Sequence, residues 1–496
     1  MKKIIFIEPN PPDLHVYSRM RLPRLGTVIL GTILKQHGYN VKSYVEAIDK
    51  IDLKDVLTAD AVGISTITST ARRSYEIARL VKEAGIPVFI GGPHVTYMPE
   101  EALPYCDFVI RGEFDDCILN FIKALESKKG LEDIPGLTYM KDGKMIKNKE
   151  APFCKDLDKL PAPDFSIIKG LEKDSIRKFS ITPVMTSRGC PFDCSFCSVT
   201  GMFGQKYRHR STESVIGELR SHKENGSKWT FFYDDNFVAN KKRTKELLKA
   251  MIENDLTPKW TAQVRVDVAK DPELLSLMKR SNCHTVYIGF ESINPKTLEL
   301  YNKKQSVEDI EDCIKKLHDS GIRIHGMFVF GSDQDTTQTI RETVKFAKKN
   351  DIETVQFLIL TPLPGTKCYR DLDMAGRIIS KDWSLYDAHH VLFQPNLMSY
   401  YELQSETFRA TKKFYSIGQI VKRAVKFDLF NVALKTYGRN ITKTWLRKNQ
   451  YFIDYTEALT KAGKNIELAA KKTAEDIKEQ FRHIELPGAK IHPKTR

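Results

Sequence analysis

The sequence lacks any apolar run of bilayer length: stretches such as Ile4–Ile7 are far shorter than the roughly 20 residues a spanning helix needs. Met1-Lys2-Lys3 precedes only four apolar residues before Glu8, too few for a signal-peptide core. The expectation is a soluble, cytoplasmic protein. Cysteine is scarce, 9 in 496 residues, odd in number and mostly scattered, which argues against a disulfide framework. Repeats and low-complexity stretches are absent, so the chain is neither a solenoid nor a disordered tail protein. What remains is an ordinary globular balance, 41% hydrophobic and 28% charged. At roughly 100–200 residues per domain the length suggests about two to four domains.

Acidic residues are the other deficit: 63 against 78 basic ones, a net charge of +15. From Tyr401 to Arg496 there are 20 Lys and Arg against 10 Asp and Glu, so two-thirds of the excess lies in the last fifth of the chain. Such a segment is either a solvated basic face on ordinary helices or a surface for a polyanion.

The first 130 residues alternate strand and helix signals. Strands are expected at Lys3–Ile7, Asn40–Val45, Ala61–Ser65, Val88–Ile90 and Phe108–Arg111, and helices at Gly26–Gln36, Thr70–Glu83 and Asp115–Leu125. This alternation predicts a doubly wound parallel sheet, which binds ligands beyond the carboxyl ends of its strands. Three polar loops stand at those ends: Ser65-Thr66-Ile67-Thr68-Ser69, Gly91-Gly92-Pro93-His94-Val95-Thr96 and Arg111-Gly112-Glu113. Glycine pairs let backbone approach a ligand closely, so three such loops together point to a bound cofactor.

Residues 136–180 read as a linker with turn signals at Asp142-Gly143 and Pro161-Ala162-Pro163. A second series then places strands at Pro183–Thr186, Trp229–Tyr233, Trp260–Arg265, Val286–Phe290, Ile324–Phe330 and Thr354–Leu360, with helices between them. Six β/α units are fewer than a closed barrel's eight, so a partial barrel is expected. Beyond Pro395 the strand signal stops. Phe430, Leu434, Tyr437 and Ile441 recur at helical spacing, with Lys435, Arg439, Lys443 and Arg447 on a neighbouring face. The expected division is therefore 1–135, an open-sheet domain; 136–180, a linker; 181–395, a partial barrel; and 396–496, a basic helical region.

The sharpest chemical signal is Ser187-Arg188-Gly189-Cys190-Pro191-Phe192-Asp193-Cys194-Ser195-Phe196-Cys197. Its three cysteines, spaced C-x3-C-x2-C, follow directly on the first barrel strand. Thiolates at this spacing wrap one soft-metal centre. A 4Fe–4S cluster normally takes four cysteines, so three leave one iron open. Structural zinc wants a closed set of four ligands, for which His209 is the available fourth.

Cys190, Cys194 and Cys197, with Phe196 before the last, resemble the signature of the radical S-adenosylmethionine (radical SAM) enzymes. The resemblance implies a 4Fe–4S cluster whose open iron chelates S-adenosylmethionine, with reductive cleavage to a 5′-deoxyadenosyl radical. It implies contacts to that substrate from Phe196, Asp235, Gln263, Arg265, Glu291 and Ser292. Thr361-Pro362-Leu363-Pro364-Gly365-Thr366 resembles a family loop near adenine. Against these stand plainer roles: a solvated helix N-cap for Asp234 or Asp235, and a charge-satisfying pair between Glu291 and Arg265.

With that barrel downstream, the N-terminal sheet resembles a cobalamin-binding domain. The implied contacts are Ser65, Thr66, Thr68, Gly91, Gly92, His94, Gly112 and Glu113. No Asp-x-His-x-x-Gly motif occurs, so bound cobalamin is expected base-off, without a histidine ligand. Glu113 is followed by Phe114-Asp115-Asp116 where the subgroup usually has Gly-Glu.

The subgroup includes methylases of unactivated carbons, tetrapyrrole ring-forming enzymes and lipid-modifying enzymes. Gly376-Arg377-Ile378, Asp382-Trp383, Tyr386-Asp387 and Pro395–Ser399 resemble the lipid-acting branch. The implied function is methylation, cyclisation or C–C bond formation on a large apolar substrate such as an isoprenoid, hopanoid or archaeal membrane lipid. A ferredoxin or flavodoxin is the implied electron donor, and the basic C-terminal region suits contact with an anionic membrane. Two alternatives are a tetrapyrrole cyclase or methylase and a methylthiotransferase-like enzyme acting on tRNA. Cys106 and Cys117 are too few for the latter's second cluster, so nucleic acid is not the expected partner.

Overall fold

The computed structural model describes residues 1–12, 22–171, 179 and 181–481; the remainder of the basic C-terminal stretch, 482–496, lies outside the described residues. The first sheet has the order β2-β1-β3-β4-β5-β6-β7. Its strands are β1 (Lys3–Glu8), β2 (Asn40–Val45), β3 (Ala61–Ser65), β4 (Val88–Gly91), β5 (Phe108–Ile110), β6 (Leu137–Lys141) and β7 (Lys144–Lys147). The first five pair in parallel. β1 is buried on both faces. Ile4 and Phe6 join one core with the helix Leu25–Gln36, and Ile5 and Ile7 join another with the helix Ala71–Glu83. That two-sided burial is why the strand reads as a continuous apolar run. Strand order reverses between β1 and β3, which opens a crevice above their carboxyl ends.

The expected linker at 136–180 begins instead with sheet. β6 and β7 form an antiparallel hairpin on the edge of the first sheet. Asp142 (φ 49°) and Gly143 (φ 72°) both take the left-handed conformation that a tight two-residue hairpin turn requires.

The second sheet runs β8-β11-β12-β13-β14-β15, six parallel strands in chain order. They are β8 (Thr182–Val184), β11 (Trp229–Phe232), β12 (Lys259–Val264), β13 (Cys283–Glu291), β14 (Arg323–Phe330) and β15 (Thr354–Ile359). Helices such as Thr212–Glu224 and Val307–Asp319 return the chain between strands, giving the partial barrel. Its open edge, β15, is covered by the helix Tyr400–Phe414, and at the end of that helix the Tyr415 hydroxyl donates to the Val355 carbonyl at 2.7 Å and accepts from its N–H at 2.9 Å. Edge groups that would otherwise recruit another strand are thereby satisfied.

A strap from Ile378 to Phe393 runs back over the first domain. Trp383, Tyr386 and Leu392 enter its core, and the Trp383 indole N–H donates to Glu101 at 2.8 Å. The two sheets are joined by packing as well as by chain.

The expected amphipathic pattern after Phe430 is rotated in the folded helix, Leu429–Lys448. Its buried face is Asn431, Lys435, Gly438, Thr442 and Trp445, while Phe430 is exposed. Lys435, expected on a solvated stripe, donates to the Glu353 carbonyl at 3.2 Å and lies 4.0 Å from the Phe414 ring centroid. Burial, then repulsion from Arg423, pushes its ammonium down to about 8. Gly438 permits the approach: a Cβ there would lie 2.7 Å from the Tyr415 ring.

Buried barrel histidines make stability pH-dependent. Burial holds His325 down at about 4, and burial with the Arg210 charge does the same for His222. Between about 4 and the unfolded value near 6.5, the unfolded chain binds more protons, so stability rises with pH and is lost as pH falls through that window. The thermal midpoint is expected to drop on acidification from pH 6.5 towards 4, and less so in His325→Gln; an equal drop in both proteins would contradict this source.

Candidate active site

The cysteine loop is a clasp at the carboxyl end of β8. Its two stems, β9 (Ser187–Arg188) and β10 (Arg208–His209), pair antiparallel, so residues 189–207 project from the barrel rim. Gly189, at φ 86°, starts the loop where a Cβ would meet the Lys206 carbonyl oxygen at 2.6 Å. Asp234, wholly buried at the end of β11, holds the base. Its carboxylate accepts from the Thr186 N–H at 2.7 Å, the Thr186 hydroxyl at 2.5 Å and the Ser187 N–H at 2.8 Å. It is therefore no solvated helix cap; that role belongs to Asn240.

Cys190, Cys194 and Cys197 are each partly exposed on this clasp. The Cys190 N–H donates to the Gly204 carbonyl at 3.3 Å, and that of Cys197 to the Cys194 carbonyl at 3.1 Å. Burial pushes the Cys197 thiol up to about 12 and raises Cys190, with the neighbouring thiols adding to both. Among the described residues no three His, Cys, Asp or Glu side chains are already drawn together as a metal cage. The donor set nevertheless fits a soft iron–sulfur centre: three thiols on one short loop, whose ionisation a cationic centre would favour. His209 stands apart on β10, exposed, its Nδ1 3.2 Å from the Arg210 carbonyl oxygen, and completes no zinc set.

Barrel strand ends surround the clasp. Arg265, just past β12, stacks on Phe192 with its guanidinium carbon 3.7 Å from the ring centroid and an Nη1 4.0 Å from Cys194 Sγ. It also donates to the Lys303 carbonyl. Glu291 ends β13 at φ 61°, past a register shift against β14. Its carboxylate accepts from Lys303 Nζ at 2.6 Å, so its partner is Lys303 rather than Arg265. Gly289 makes room for that fold-back: a Cβ there would lie 2.3 Å from Glu291 Oε1. A non-glycine residue held in this conformation at a strand end is strain of the kind found at binding sites. Phe196 meets Tyr301 edge-on at 4.9 Å, Gln263 is half-buried near the end of β12, and the buried Ser292 hydroxyl accepts from the N–H of Asn294 at 3.0 Å. A cleft of about 440 Å³ reaches Cys194 and Cys197 from outside, past Asn302 and Thr366.

A second cavity, about 340 Å³, lies between the two sheets. Ser65, Gly91, Gly92, Gly112 and Glu113 line it from the first domain, and Ser187, Arg188, Tyr233 and Asp235 from the barrel. Gly92, at φ 113°, is required because a Cβ would lie 2.3 Å from the Thr66 carbonyl oxygen. The Asp235 carboxyl is open to the cavity but otherwise surrounded by protein. Desolvation, then the Asp234 charge, pushes it up to about 7. Thr66, Thr68 and His94 are not in the lining. Thr66 turns into the Thr70 hydroxyl at 3.3 Å, Thr68 is buried in the same turn, and His94 is buried under Trp383 with Nε2 3.6 Å from Glu101. They build the loop from behind.

Ion pairs that no sequence pattern announces join the halves. Glu113 meets Arg208 at 2.5 Å and Arg188 at 3.2 Å, and Asp115 meets Arg188 at 2.6 Å; every one of these side chains is under 10% exposed. Asp115 sits in the stretch that departs from the usual Gly-Glu, and Arg188 stands two residues before Cys190. Tyr97 is equally unannounced. Its ring wedges between Gly201 on the clasp and Gly365 on the Pro-x-Pro-Gly-Thr loop, where Cβ atoms would approach within 2.3 Å and 2.5 Å.

Residues 184–347 match the radical SAM superfamily and residues 15–122 the B12 binding domain. An uncharacterized methyltransferase of Pyrococcus horikoshii is 32% identical, over 78% of this chain and 86% of its own length. The bacteriochlorophyllide d C-12(1)-methyltransferase of Chlorobaculum tepidum is 30% identical over 85% and 89% of the two chains. The hopanoid C-2 methylase of Rhodopseudomonas palustris is 25% identical over 73% and 66%. In fold, the cobalamin-dependent S-adenosylmethionine radical enzyme OxsB superposes with a TM-score of 0.69, at 16% identity over 97% of this chain and 81% of its own. The chain belongs to the radical SAM superfamily, in the group that carries an N-terminal B12-binding domain. It is an enzyme of the radical SAM methyltransferase type, whose cofactors are S-adenosylmethionine, a 4Fe–4S cluster and cobalamin. Among the described residues no helix is long and apolar enough to cross a membrane.

Proposed function

We propose that this enzyme methylates an unactivated carbon of a large apolar small molecule, with an isoprenoid- or hopanoid-type lipid as the first reading. The observation that carries the reaction type is the shared cavity: the glycine loops of the first sheet and the stem of the cysteine clasp are two walls of one space. Together the bound groups supply one-electron cleavage of S-adenosylmethionine and a methyl carrier. In this reading Cys190, Cys194 and Cys197 hold the cluster. Arg265 sets positive charge beside Cys194. Glu291, Ser292, Gln263, Phe196 and Asp235 bound the space for S-adenosylmethionine. The backbones of Ser65, Gly91, Gly92 and Gly112 take the corrinoid, and Asp235 is an ionisable group on the barrel wall of the same cavity. Its upward-shifted carboxyl is suited to exchanging a proton near neutral pH. The absent Asp-x-His-x-x-Gly motif makes base-off binding the reading, and among the described residues no imidazole lines the cavity.

We take the functional units as the sheet domain through Lys147, the barrel with its strap to about 395, and the helical region after it. A ferredoxin- or flavodoxin-class protein would deliver the electron. The lipid reading is supported by the hopanoid methylase relative. A tetrapyrrole substrate is the second reading, favoured by the bacteriochlorophyllide methyltransferase. The test is anaerobic turnover with methyl-deuterated S-adenosylmethionine against lipid extracts and chlorophyllide-type tetrapyrroles. Deuterated methyl on a lipid carbon is the expected result. Label on the tetrapyrrole alone transfers the proposal to the second reading, and deoxyadenosine without label in either contradicts methylation of both.

A further inference from the structure

The helix Ile417–Val425 crosses the end of the barrel opposite the cysteine clasp. It is anchored by Arg423, which donates to Asp351 Oδ1 at 2.7 Å, just before β15, and to Asp428 Oδ2 at 3.3 Å. Close by, Phe430 lies under Arg323 and His284, at the starts of β14 and β13. With one side of the helix so fixed, its other side is bare. Ile417, Val421 and Val425, four residues apart and so on one face, are 59%, 52% and 74% exposed, and Phe427 and Leu429 extend the row at 88% and 73%. Phe427 is also in the left-handed region, at φ 56°, just past the helix C-cap where glycine is the usual occupant. A bulky aromatic there is strained as well as exposed, and nothing else in the described chain covers it.

The surroundings are basic. No acidic residue occurs between Glu406 and Asp428, a stretch that carries Arg409, Lys412, Lys413, Lys422, Arg423 and Lys426. Lys412, Lys413, Lys422 and Lys426 are exposed and enter no ion pair among those of the described residues. Burial, with repulsion from Lys413 and Lys422, lowers the neighbouring Lys348 ammonium, a sign that these cations crowd without counter-charge. Asp351 and Asp428 are already engaged by Arg423.

We infer that this face, an apolar row from Ile417 to Leu429 set among unpaired lysines, docks the barrel's amino-terminal end on an anionic lipid bilayer. A convex apolar tip rimmed by cations is the form of an interfacial helix, whose apolar side enters the headgroup boundary while its lysines meet lipid phosphates and carboxylates. Protein interfaces are depleted in lysine, and a second copy would bring like charges face to face. Docked this way, the clasp faces away from the bilayer by the length of the barrel strands, about 20 Å. The membrane then holds the enzyme without feeding its site through this face, so the inference stands independently of the substrate proposed above.

The test is co-sedimentation of the reconstituted full chain with phosphatidylcholine vesicles containing or lacking phosphatidylserine, at low salt. Binding to the phosphatidylserine vesicles is expected. It should fall by about tenfold or more in Val425→Ser/Phe427→Ser and in Lys422→Glu/Lys426→Glu, given about fivefold per surface lysine. Deoxyadenosine production and thermal midpoint should stay at the parental level in both, which excludes misfolding. The single variant Phe427→Gly, which relieves the left-handed strain, should lose binding while unfolding at the same temperature or higher. Absence of binding by the parent, or unchanged binding in both double variants, overturns the inference. A dimer that Val425→Ser/Phe427→Ser dissociates, without vesicle binding, gives the face to a second copy and overturns it as well.

Discussion

Cys194→Ala protein, reconstituted with iron and sulfide, is expected to show no visible cluster absorption and no dithionite-driven 5′-deoxyadenosine. Three thiols are the whole donor set of the clasp, and a cluster left with two loses its hold as well as its placement beside Arg265. The effect should be complete rather than graded. Hydroxocobalamin should still bind, because the loops of Ser65, Gly91, Gly92 and Gly112 stand on a sheet whose cores include none of the three clasp cysteines. Retained cleavage of S-adenosylmethionine would remove the cluster assignment. Loss of corrin together with the cluster would mean the two sites depend on each other for folding.

Glu113→Ala is expected to have the largest effect on stability. Its carboxylate is the shared acceptor for Arg208 and Arg188 and also takes the Cys154 N–H at 3.0 Å, all in a buried seam between the sheet domain and the clasp. Removing it strands a guanidinium in a low-dielectric site, a loss of about 3–5 kcal/mol. Glu113→Gln keeps the shape but not the charge and should lie between. Amide hydrogen exchange is the informative probe. Protection should fall around residues 187–210 in Glu113→Ala while the helices on the far side of the barrel keep theirs. Wild-type protection and thermal midpoint would show that Asp115 alone carries the seam.

Much of the fold is legible in the chain because its signals are local. Parallel strands buried on both faces read as apolar runs, and the return helices carry their own caps, such as Ser306 with Asp309. The clasp is legible for the same reason: its ligand candidates lie within eight residues. The misreadings are non-local or lie on edges. β7 is almost wholly exposed, so it lacks the alternation that marks a strand, and only the Asp142-Gly143 turn announced the hairpin. The seam joins Glu113 and Asp115 to Arg188 and Arg208, dozens of residues apart, and no period encodes such pairing. Likewise, Trp383 finds Glu101 through the strap alone. The helix Leu429–Lys448 misleads because its closest packing is set by Gly438 against Tyr415, which turns a lysine inward and leaves Phe430 at the rim beside Arg323 and His284.

In the proposed function the corrinoid lies against the stem of the clasp that carries the cluster, so one chain binds both. The most direct measurement is anaerobic reconstitution with iron, sulfide and hydroxocobalamin, gel filtration, and assay of iron, corrin and deoxyadenosine on the eluted chain. Joint binding predicts about four irons and about one corrin per chain with active cleavage. It further predicts that Gly92→Val, which would press a side chain into the Thr66 carbonyl, elutes with its cluster but without corrin. A chain that keeps its cluster, cleaves S-adenosylmethionine and retains no corrin in either form would contradict it.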